Sequence, residues 1–233
     1  MSSSSPRAAY FRGLRQSLPF LLVVLPFGML FGVVARDAGL DLAQTMGFSV
    51  VVIAGAAQFT AVQLMQDQAP TIIVLASALA VNLRMAMYAA SLAPHLGPAP
   101  SWQRIFIAYF NVDATYALSH LEYERNPSQP LPQKVAYYMG TATVICLPWY
   151  VVTWIGAVLG NAIPAGLSLD FAVPIAFISF FAPALRTPAH IAAALASIVL
   201  AVSLQWVPHN LWILLAGAGA MIVGAEVERR LAQ

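Results

Sequence analysis

Long apolar segments separated by short polar connections dominate the chain from residue 18 onward. A helix needs about 20 apolar residues to cross the hydrocarbon core of a bilayer, within a range of about 17–25. These segments exceed the roughly 10-residue strands of membrane β-barrels. The pattern therefore predicts an all-α, polytopic integral membrane protein with seven to eight transmembrane helices. We assign eight segments: Leu18–Ala35, Leu42–Met65, Pro70–Ala93, Ile105–His120, Val135–Leu159, Ala162–Leu185, Pro188–Val207 and Asn210–Ala225.

Composition strengthens the membrane assignment. Of the 233 residues, 60% are hydrophobic and only 9% are charged, and the mean hydropathy is +0.76. Soluble domains carry about 25% charged residues, so this chain has too few charges to cover a water-exposed globule. A net charge of +2 without a basic stripe argues against a nucleic-acid partner. The single cysteine, Cys146, excludes an intrachain disulfide and a thiolate metal cluster.

The polar ends of the chain bound one membrane domain. Residues 1–17 are predicted to form a cytoplasmic tail, residues 18–225 the transmembrane helical domain, and residues 226–233 a second cytoplasmic tail. Cytoplasmic loops are enriched in Lys and Arg. With eight crossings and the N-terminus inside, only Arg36 and Arg104 fall on the opposite side of the membrane. Both termini are therefore predicted to be cytoplasmic.

Two stretches, Leu25–Asp41 and Leu147–Asp170, resemble each other. Each has Leu-Pro, then spaced glycines, then Ala-Gly-Leu and an aspartate. Under eight crossings they enter the membrane in the same direction, as in a parallel four-plus-four duplication. The match is short and gapped, so coincidence stays an alternative. Prolines within the segments, such as Pro26 and Pro148, predict kinked or broken helices.

Two opposite charges inside the apolar segments are the leading candidates for a functional site. Arg84 lies ten residues before Pro94, about 15 Å along a helix, and Asp113 lies about 13–14 Å into the next segment. A charged side chain at the bilayer centre costs roughly 2.5–3.5 kcal/mol on insertion scales. Because antiparallel helices would bring the two charges to one depth, we expect them to pair or to face one wet cavity. A substrate pathway and a structural staple are both open interpretations.

Three further polar residues join the candidate substrate or ion pathway. Asn82 lies about 200° from Arg84 around an unbroken helix, so the two cannot face one cavity unless the helix unwinds. Asn111 lies in the same segment as Asp113, and Tyr116 shares a helix face with Asp113 at i, i+3. For both asparagines, helix–helix hydrogen bonding and substrate contact are open.

The stretch Ala54–Phe59, AGAAQF, adds Gly55 and Gln58 to the candidates. Small residues around Gly55 permit a close helix approach or a local break, and Gln58 then offers an amide in a narrow space. Broken helices bind zwitterions and ions in several transporters. Tight packing of small residues is the alternative.

The sequence contains none of the residue sets that membrane enzymes use. There is no G-x-S-x-G, no H-E-x-x-H, no pair of neighbouring carboxylates within the segments and no Walker A motif. The four histidines include no i, i+4 pair that would ligate a metal. We therefore predict a protein that is not an enzyme and uses no cofactor or metal. A secondary carrier is preferred, and a channel-like or scaffold subunit is the alternative.

Four stretches together resemble the AzlC family, the large subunits of bacterial branched-chain amino acid exporters. They are AGAAQFTAVQL from Ala54, NLRMAMYAASLAPHL from Asn82, NVDATYAL from Asn111 and LPWYVVTWIGAVLG from Leu147. The Asn-Leu-Arg-x-x-x-Tyr element adds Tyr88 to the candidate site. The resemblance extends from about residue 18 to residue 204.

The resemblance implies a function that spacing alone does not. It implies export of Val, Leu, Ile and also Met across the bacterial inner membrane, driven by the proton gradient, together with a small AzlD-like membrane subunit. Two positions depart from the family pattern. Met85 stands where members often carry histidine, and Ala114 where they often carry an acid after Asp113. These departures bear on the coupling ion and on the substrate range.

Overall fold

The computed structural model describes residues 5–159, 185–207 and 211–231. The predicted sixth segment, Ala162–Leu185, lies outside the described residues except for Leu185. Within those ranges the chain is helical, and no strand is present. The helices are α1 Pro6–Ser17, α2 Leu21–Asp37, α3 Leu42–Val52, α4 Gly55–Gln66, α5 Thr71–Leu96, α6 Ser101–Tyr109, α7 Asp113–Arg125, α8 Leu131–Leu159, α9 Pro188–Ser203 and α10 Leu211–Leu231.

The chain divides into two units. One contains residues 1–58 and 81–163, and the other contains residues 59–80 and 164–233. All eight candidate site residues belong to the first unit. In the second unit, α9 packs on α10. These two helices cover the predicted seventh and eighth segments, and α10 continues to Leu231, into the predicted C-terminal tail.

Within the described residues, three helical stretches are long and apolar enough to cross a membrane: Pro6–Asp37, Thr71–Leu96 and Leu131–Leu159. The first joins α1 to α2 through a 3₁₀ turn at Leu18–Phe20. Residues 6–17, predicted as a tail, therefore form a helix, which the Ser5 side chain caps by accepting from Ala8 N at 3.3 Å. The count of eight crossings is therefore not confirmed within the described residues.

Helices α1 and α2 pack along α8 in the same direction. Gly13 lies against the backbone of Tyr137. Farther along both helical stretches, Gly32 lies against the backbone of Thr153. A Cβ atom on Gly32 would lie 2.2 Å from Thr153 O, so only glycine permits this approach. The shared direction agrees with the proposed duplication. Its second copy ends outside the described residues, so the duplication stays a prediction.

The predicted second segment, Leu42–Met65, is two helices rather than one. Ile53, at φ +40, ends α3 in the left-handed region, and α4 begins at Gly55. Gln58 Nε2 then donates to Ser49 Oγ at 3.0 Å, whereas nine residues of continuous helix would separate the two by about 13.5 Å. The first turn of α4 therefore folds back beside α3. The local break considered near Gly55 is therefore present, in agreement with the prediction that some helices are broken.

The predicted fourth segment, Ile105–His120, is also two helices, with a break at Phe110–Val112 between α6 and α7. The Thr115 hydroxyl closes the break, because it accepts from Val112 N at 2.9 Å and donates to Phe110 O at 2.8 Å. Non-helical backbone at membrane depth is tolerated only where protein or a water-filled cavity covers it, and Thr115 is fully buried. The prediction of one helix was wrong because hydropathy does not register this local cap.

Helix α7 runs parallel to the second half of α5. The contacts between them advance in the same direction along both helices: Arg84–Asp113, Ser91–His120 and His95–Tyr123. Only four residues separate the end of α5 from the start of α6. Helices α6 and α7 therefore form a re-entrant hairpin that enters and leaves at one end, and the expected antiparallel crossing beside α5 was wrong.

Contacts with α8 agree with this hairpin. Tyr123 Oη donates to Lys134 O at 2.8 Å near the start of α8. At the break, Phe110 O lies 4.0 Å from Cys146 Sγ, twelve residues farther along α8. We call the end of this unit at which α5 ends and α8 begins the proximal end. The tip of the hairpin therefore points away from the proximal end.

Candidate functional site

The two membrane charges singled out from the sequence are in contact. Arg84 Nη2 lies 3.2 Å from Asp113 Oδ2, and the two side chains are 19% and 31% exposed. Arg84 Nε is buried and has no hydrogen-bond partner among the described residues. The pair is present as expected, but the hairpin brings Asp113 to it, at the first position of α7 rather than inside a crossing helix.

Both candidate tyrosines border the pair. Tyr88, one turn after Arg84 on α5, donates from Oη to Asp113 Oδ1 at 2.8 Å. Its ring stacks on that of Tyr116, with centroids 4.2 Å apart and planes 9° apart. Asp113 is thus held by a guanidinium and a phenol from α5.

The position of Asp113 also suits a negative charge. The first turn of a helix presents free N–H groups and the positive end of the helix dipole. The α7 terminus and Arg84 therefore both stabilise the carboxylate. Arg84 offers a planar set of donors for a carboxylate, while Asp113 offers acceptors for an ammonium group. The arrangement can bind the two charges of a zwitterion.

Asn111 fastens the tip of the hairpin to α5. Its Nδ2 donates to Met85 O at 3.2 Å, beside Arg84 in sequence. Its Oδ1 is buried and unpaired in the part of the chain that the structure describes. Helix–helix hydrogen bonding is therefore observed for Asn111, and substrate contact stays a prediction.

Asn82 does not join this group. Helix α5 is continuous from Thr71 to Leu96, so Asn82 and Arg84 remain on different faces. The Asn82 Oδ1 atom is buried, again with no partner in the described ranges. The unwinding that would have brought both residues to one cavity is not observed.

Gln58 and Gly55 lie at the other helix break. Gln58 is fully buried and donates to Ser49 Oγ, which in turn donates to Thr153 Oγ1 at 3.3 Å. A Cβ on Gly55 would lie 2.9 Å from the rings of Phe27 and Trp149. Tight packing therefore accounts for Gly55. These contacts do not place Gln58 beside Arg84.

Tyr109, which no pattern in the sequence indicated, joins the two breaks. Its Oη donates to Val50 O at 2.6 Å and lies 2.8 Å from Tyr150 Oη. Val50 O would bond to Ala54 N in a continuous helix, but the chain leaves the helix at Ile53. The Tyr109 hydroxyl therefore satisfies a carbonyl that the break in α3 releases.

A second set of residues continues from Tyr116 toward the proximal end, and its members other than Tyr116 were not selected from the sequence. Tyr116 Oη donates to Ser91 Oγ at 3.2 Å, and Ser91 Oγ lies 3.5 Å from His120 Nδ1. His120 Nε2 lies 3.3 Å from Glu124 Oε1. The available signal is that these residues recur every three or four positions along α5 and α7. That spacing places them side by side only if the two helices are known to be parallel.

Further charged side chains form contacts at the base of the hairpin, at the proximal end. Arg12 Nη2 donates to Glu122 Oε1 at 2.7 Å, linking α1 to α7. Buried Lys134 contacts His95 Nδ1 at 3.3 Å and Pro127 O at 3.2 Å. Breaking a buried ion pair leaves an uncompensated charge, so these contacts hold the base of the hairpin. No group of metal-ligating side chains occurs in the described part of the chain.

The chain is similar to one protein family and to several membrane proteins. The family described as AzlC protein matches residues 19–163. An uncharacterized membrane protein of Helicobacter pylori is 32% identical over 105 residues, 45% of this chain and 46% of that protein. An uncharacterized membrane protein of Archaeoglobus fulgidus is 31% identical over 96 residues, 41% of this chain and 43% of that protein.

A longer match is to the inner membrane protein YgaZ of Escherichia coli, 24% identical over 191 residues and 77% of each chain. The chain spans about half the length of the Helicobacter relative, and no solved structure matches it significantly. Since the family match covers more than half of the sequence and the relatives are named membrane proteins, this chain is a membrane protein and belongs to the AzlC family.

Proposed function

We propose that the protein is a secondary carrier that exports small apolar amino acids across the bacterial cytoplasmic membrane, Val, Leu and Ile first and Met as well. The Arg84–Asp113 pair is the observation that carries this proposal. It is only partly buried, and Arg84 Nε has no partner within the described residues. Ionisable residues within membrane segments most often mark a substrate or ion pathway.

The pair supplies one group for each charge of an amino acid. Arg84 holds the substrate carboxylate through two parallel hydrogen bonds, and Asp113 holds the ammonium group. Without substrate the two side chains neutralise each other, which limits the desolvation penalty of each. Substrate binding then exchanges one ion pair for two, so that no buried charge is left unpaired in either state.

The remaining parts of the proposal are the coupling ion, the partner and the orientation. We propose proton coupling and a small AzlD-like membrane subunit, and the transport needs no cofactor. The re-entrant hairpin supports a cytoplasmic proximal end, since cytoplasmic segments are enriched in basic residues. That end carries six basic residues, now including Arg104: Arg7, Arg12, Arg15, Arg104, Arg125 and Lys134.

A channel-like or scaffold subunit is the second candidate function. The two helix breaks that meet through Tyr109 and Val50 favour it, because re-entrant segments also build pores. In that case the Arg84–Asp113 pair only staples the hairpin to α5, and the partner subunit determines which molecule moves.

A neutral pair, Arg84→Gln with Asp113→Asn, separates the two functions. Replacing both members of a partly buried ion pair by uncharged groups is often structurally tolerated. A staple would therefore keep most activity, whereas a carrier loses both substrate contacts. We expect efflux of isotope-labelled valine, from cells that express the variant with and without the small subunit, to fall to background at an unchanged membrane level. Efflux close to that of the native protein would favour the second candidate.

A further inference from the structure

A seam of polar side chains runs between α5 and α7 from the ion pair to the proximal end. We call it the polar seam, and its members are Tyr88, Ser91, Tyr116, His120 and Glu124. Tyr88 donates to Asp113, Tyr116 donates to Ser91, and Ser91 lies within 3.5 Å of His120. The rings of Tyr88, Tyr116 and His120 stack in series, with centroid separations of 4.2 and 5.4 Å.

Exposure increases along the seam. Arg84 and Asp113 are 19% and 31% exposed, His120 is 34% exposed and Glu124 is 61% exposed. The seam thus begins at a partly buried charge pair and ends at an exposed carboxylate. Polar groups within a membrane segment are costly and usually functional. Two helices could be held together by apolar packing at lower cost.

The chemistry of the seam suits one kind of ligand. Hydroxyl and imidazole groups both donate and accept hydrogen bonds, and an imidazole gains and loses a proton near neutral pH. His120 uses both ring nitrogens, with Ser91 beside Nδ1 and Glu124 beside Nε2. A proton arriving at one nitrogen can therefore leave from the other.

We infer that the polar seam carries the coupling proton and that His120 takes it up from the aqueous proximal end. This inference rests on the proposed carrier function. Glu124 attracts the proton, His120 binds it at Nε2 and releases one from Nδ1 to Ser91. The Ser91 hydroxyl accepts this proton and releases its own to the Tyr116 hydroxyl. Tyr116 releases a proton in turn, and the Asp113 carboxylate, which accepts a hydrogen bond from Tyr88, is the final acceptor. Only protons move, and each group regains its starting state after its hydroxyl or ring reorients.

Charged and titratable groups from the neighbouring helices lie around His120. Glu124 on α7 lies 3.3 Å from His120 Nε2. His95 on α5 interacts with His120, and Lys134 on α8 contacts His95 Nδ1 at 3.3 Å. The Arg12–Glu122 pair on the adjoining face is neutral as a whole. Glu124 is therefore the carboxylate in direct contact with His120.

The test reconstitutes the full-length protein, with its small subunit where the complex requires it, into vesicles that contain a pH-sensitive dye. Two quantities are measured: exchange of labelled valine at equal concentrations, and proton movement driven by a valine gradient. The native protein should show both. His120→Gln, which keeps a hydrogen-bonding side chain but cannot carry the proton, should reduce proton movement by about tenfold or more. Exchange should stay within about twofold.

Controls make each outcome decisive. Ser91→Ala, which removes the next group of the seam, should reproduce the His120→Gln result, and His190→Gln, at the exposed start of α9, should change neither quantity. Proton movement that is unchanged in His120→Gln would overturn the inference. Equal loss of exchange and proton movement in a monodisperse variant would also overturn it, because it indicates a structural role. If the native protein exchanges valine without moving protons, this inference alone is wrong. If the native protein does not exchange valine, the proposed function itself is wrong.

Discussion

Arg84→Ala is expected to reduce valine efflux to the level of cells that lack the protein, with the amount of protein in the membrane preserved. The variant removes the group proposed to hold the substrate carboxylate and leaves Asp113 without its counter-charge. Hydrogen bonds to charged groups contribute about 1.5–3 kcal/mol. That range corresponds to roughly a 10- to 100-fold loss, since about 1.4 kcal/mol equals a factor of ten.

Two matched variants support this expectation. Arg84→Lys keeps the positive charge but loses the planar arrangement of donors, so we expect an intermediate loss of efflux. Arg104→Ala removes an exposed arginine at the start of α6, whose side chain contacts only Ser101 among the described residues, and should leave efflux unchanged. If Arg84→Ala is present in the membrane at a normal amount and valine efflux is undiminished, Arg84 is not part of the transport pathway.

Gly156→Leu is expected to disrupt the packing of α8 against α2. A Cβ on Gly156 would lie 2.0 Å from Met29 O and 2.8 Å from Met29 C. These are backbone atoms, so a side chain forces the helices apart rather than turning a neighbouring rotamer. Overpacking costs typically about 1–3 kcal/mol and occasionally more, and here we expect at least the upper value. The purified variant should have a clearly lower melting temperature or form aggregates during size-exclusion chromatography.

Gly47→Leu is the control for this substitution. It makes the same exchange in the middle of α3, at a position where no described atom lies within 4 Å of the added Cβ. We expect its melting temperature and elution profile to match those of the native protein. A Gly156→Leu protein that is as stable as Gly47→Leu would contradict the close approach of α2 and α8.

The residues of the site could be predicted from the sequence more successfully than the arrangement of the helices that carry them. Arg84 and Asp113 were selected because opposite charges at similar depth lower each other's desolvation cost, and that argument holds whichever way the helices run. Their contact at 3.2 Å agrees with it. The path of the chain could not be predicted in the same way. Helices α6 and α7 together contain about as many residues as one crossing helix, so hydropathy cannot tell a hairpin from a crossing.

The signals for both reversals are local and weak. The first depends on one left-handed residue, Ile53, in a run of β-branched side chains. The second depends on the Thr115 hydroxyl, which hydrogen-bonds to the backbone of Val112 and Phe110. Ser91, His120 and Glu124 of the polar seam were missed for the same reason. Ser91 and His120 meet only if α7 is parallel to α5, and the crossing prediction made these helices antiparallel.

The re-entrant α6–α7 hairpin is the claim on which the site, the seam and the orientation all depend, and side-specific cysteine labelling tests it directly. The native Cys146 is only 1% exposed, so single cysteines can be introduced at Ser101, where the hairpin begins, and at Ser128, just after it ends. Asp37→Cys, at the far end of α2, marks the opposite side. A membrane-impermeant maleimide should label Ser101→Cys and Ser128→Cys from the same side and Asp37→Cys from the other. Labelling of Ser101→Cys and Ser128→Cys from opposite sides would show that this segment crosses the membrane, and would contradict the account.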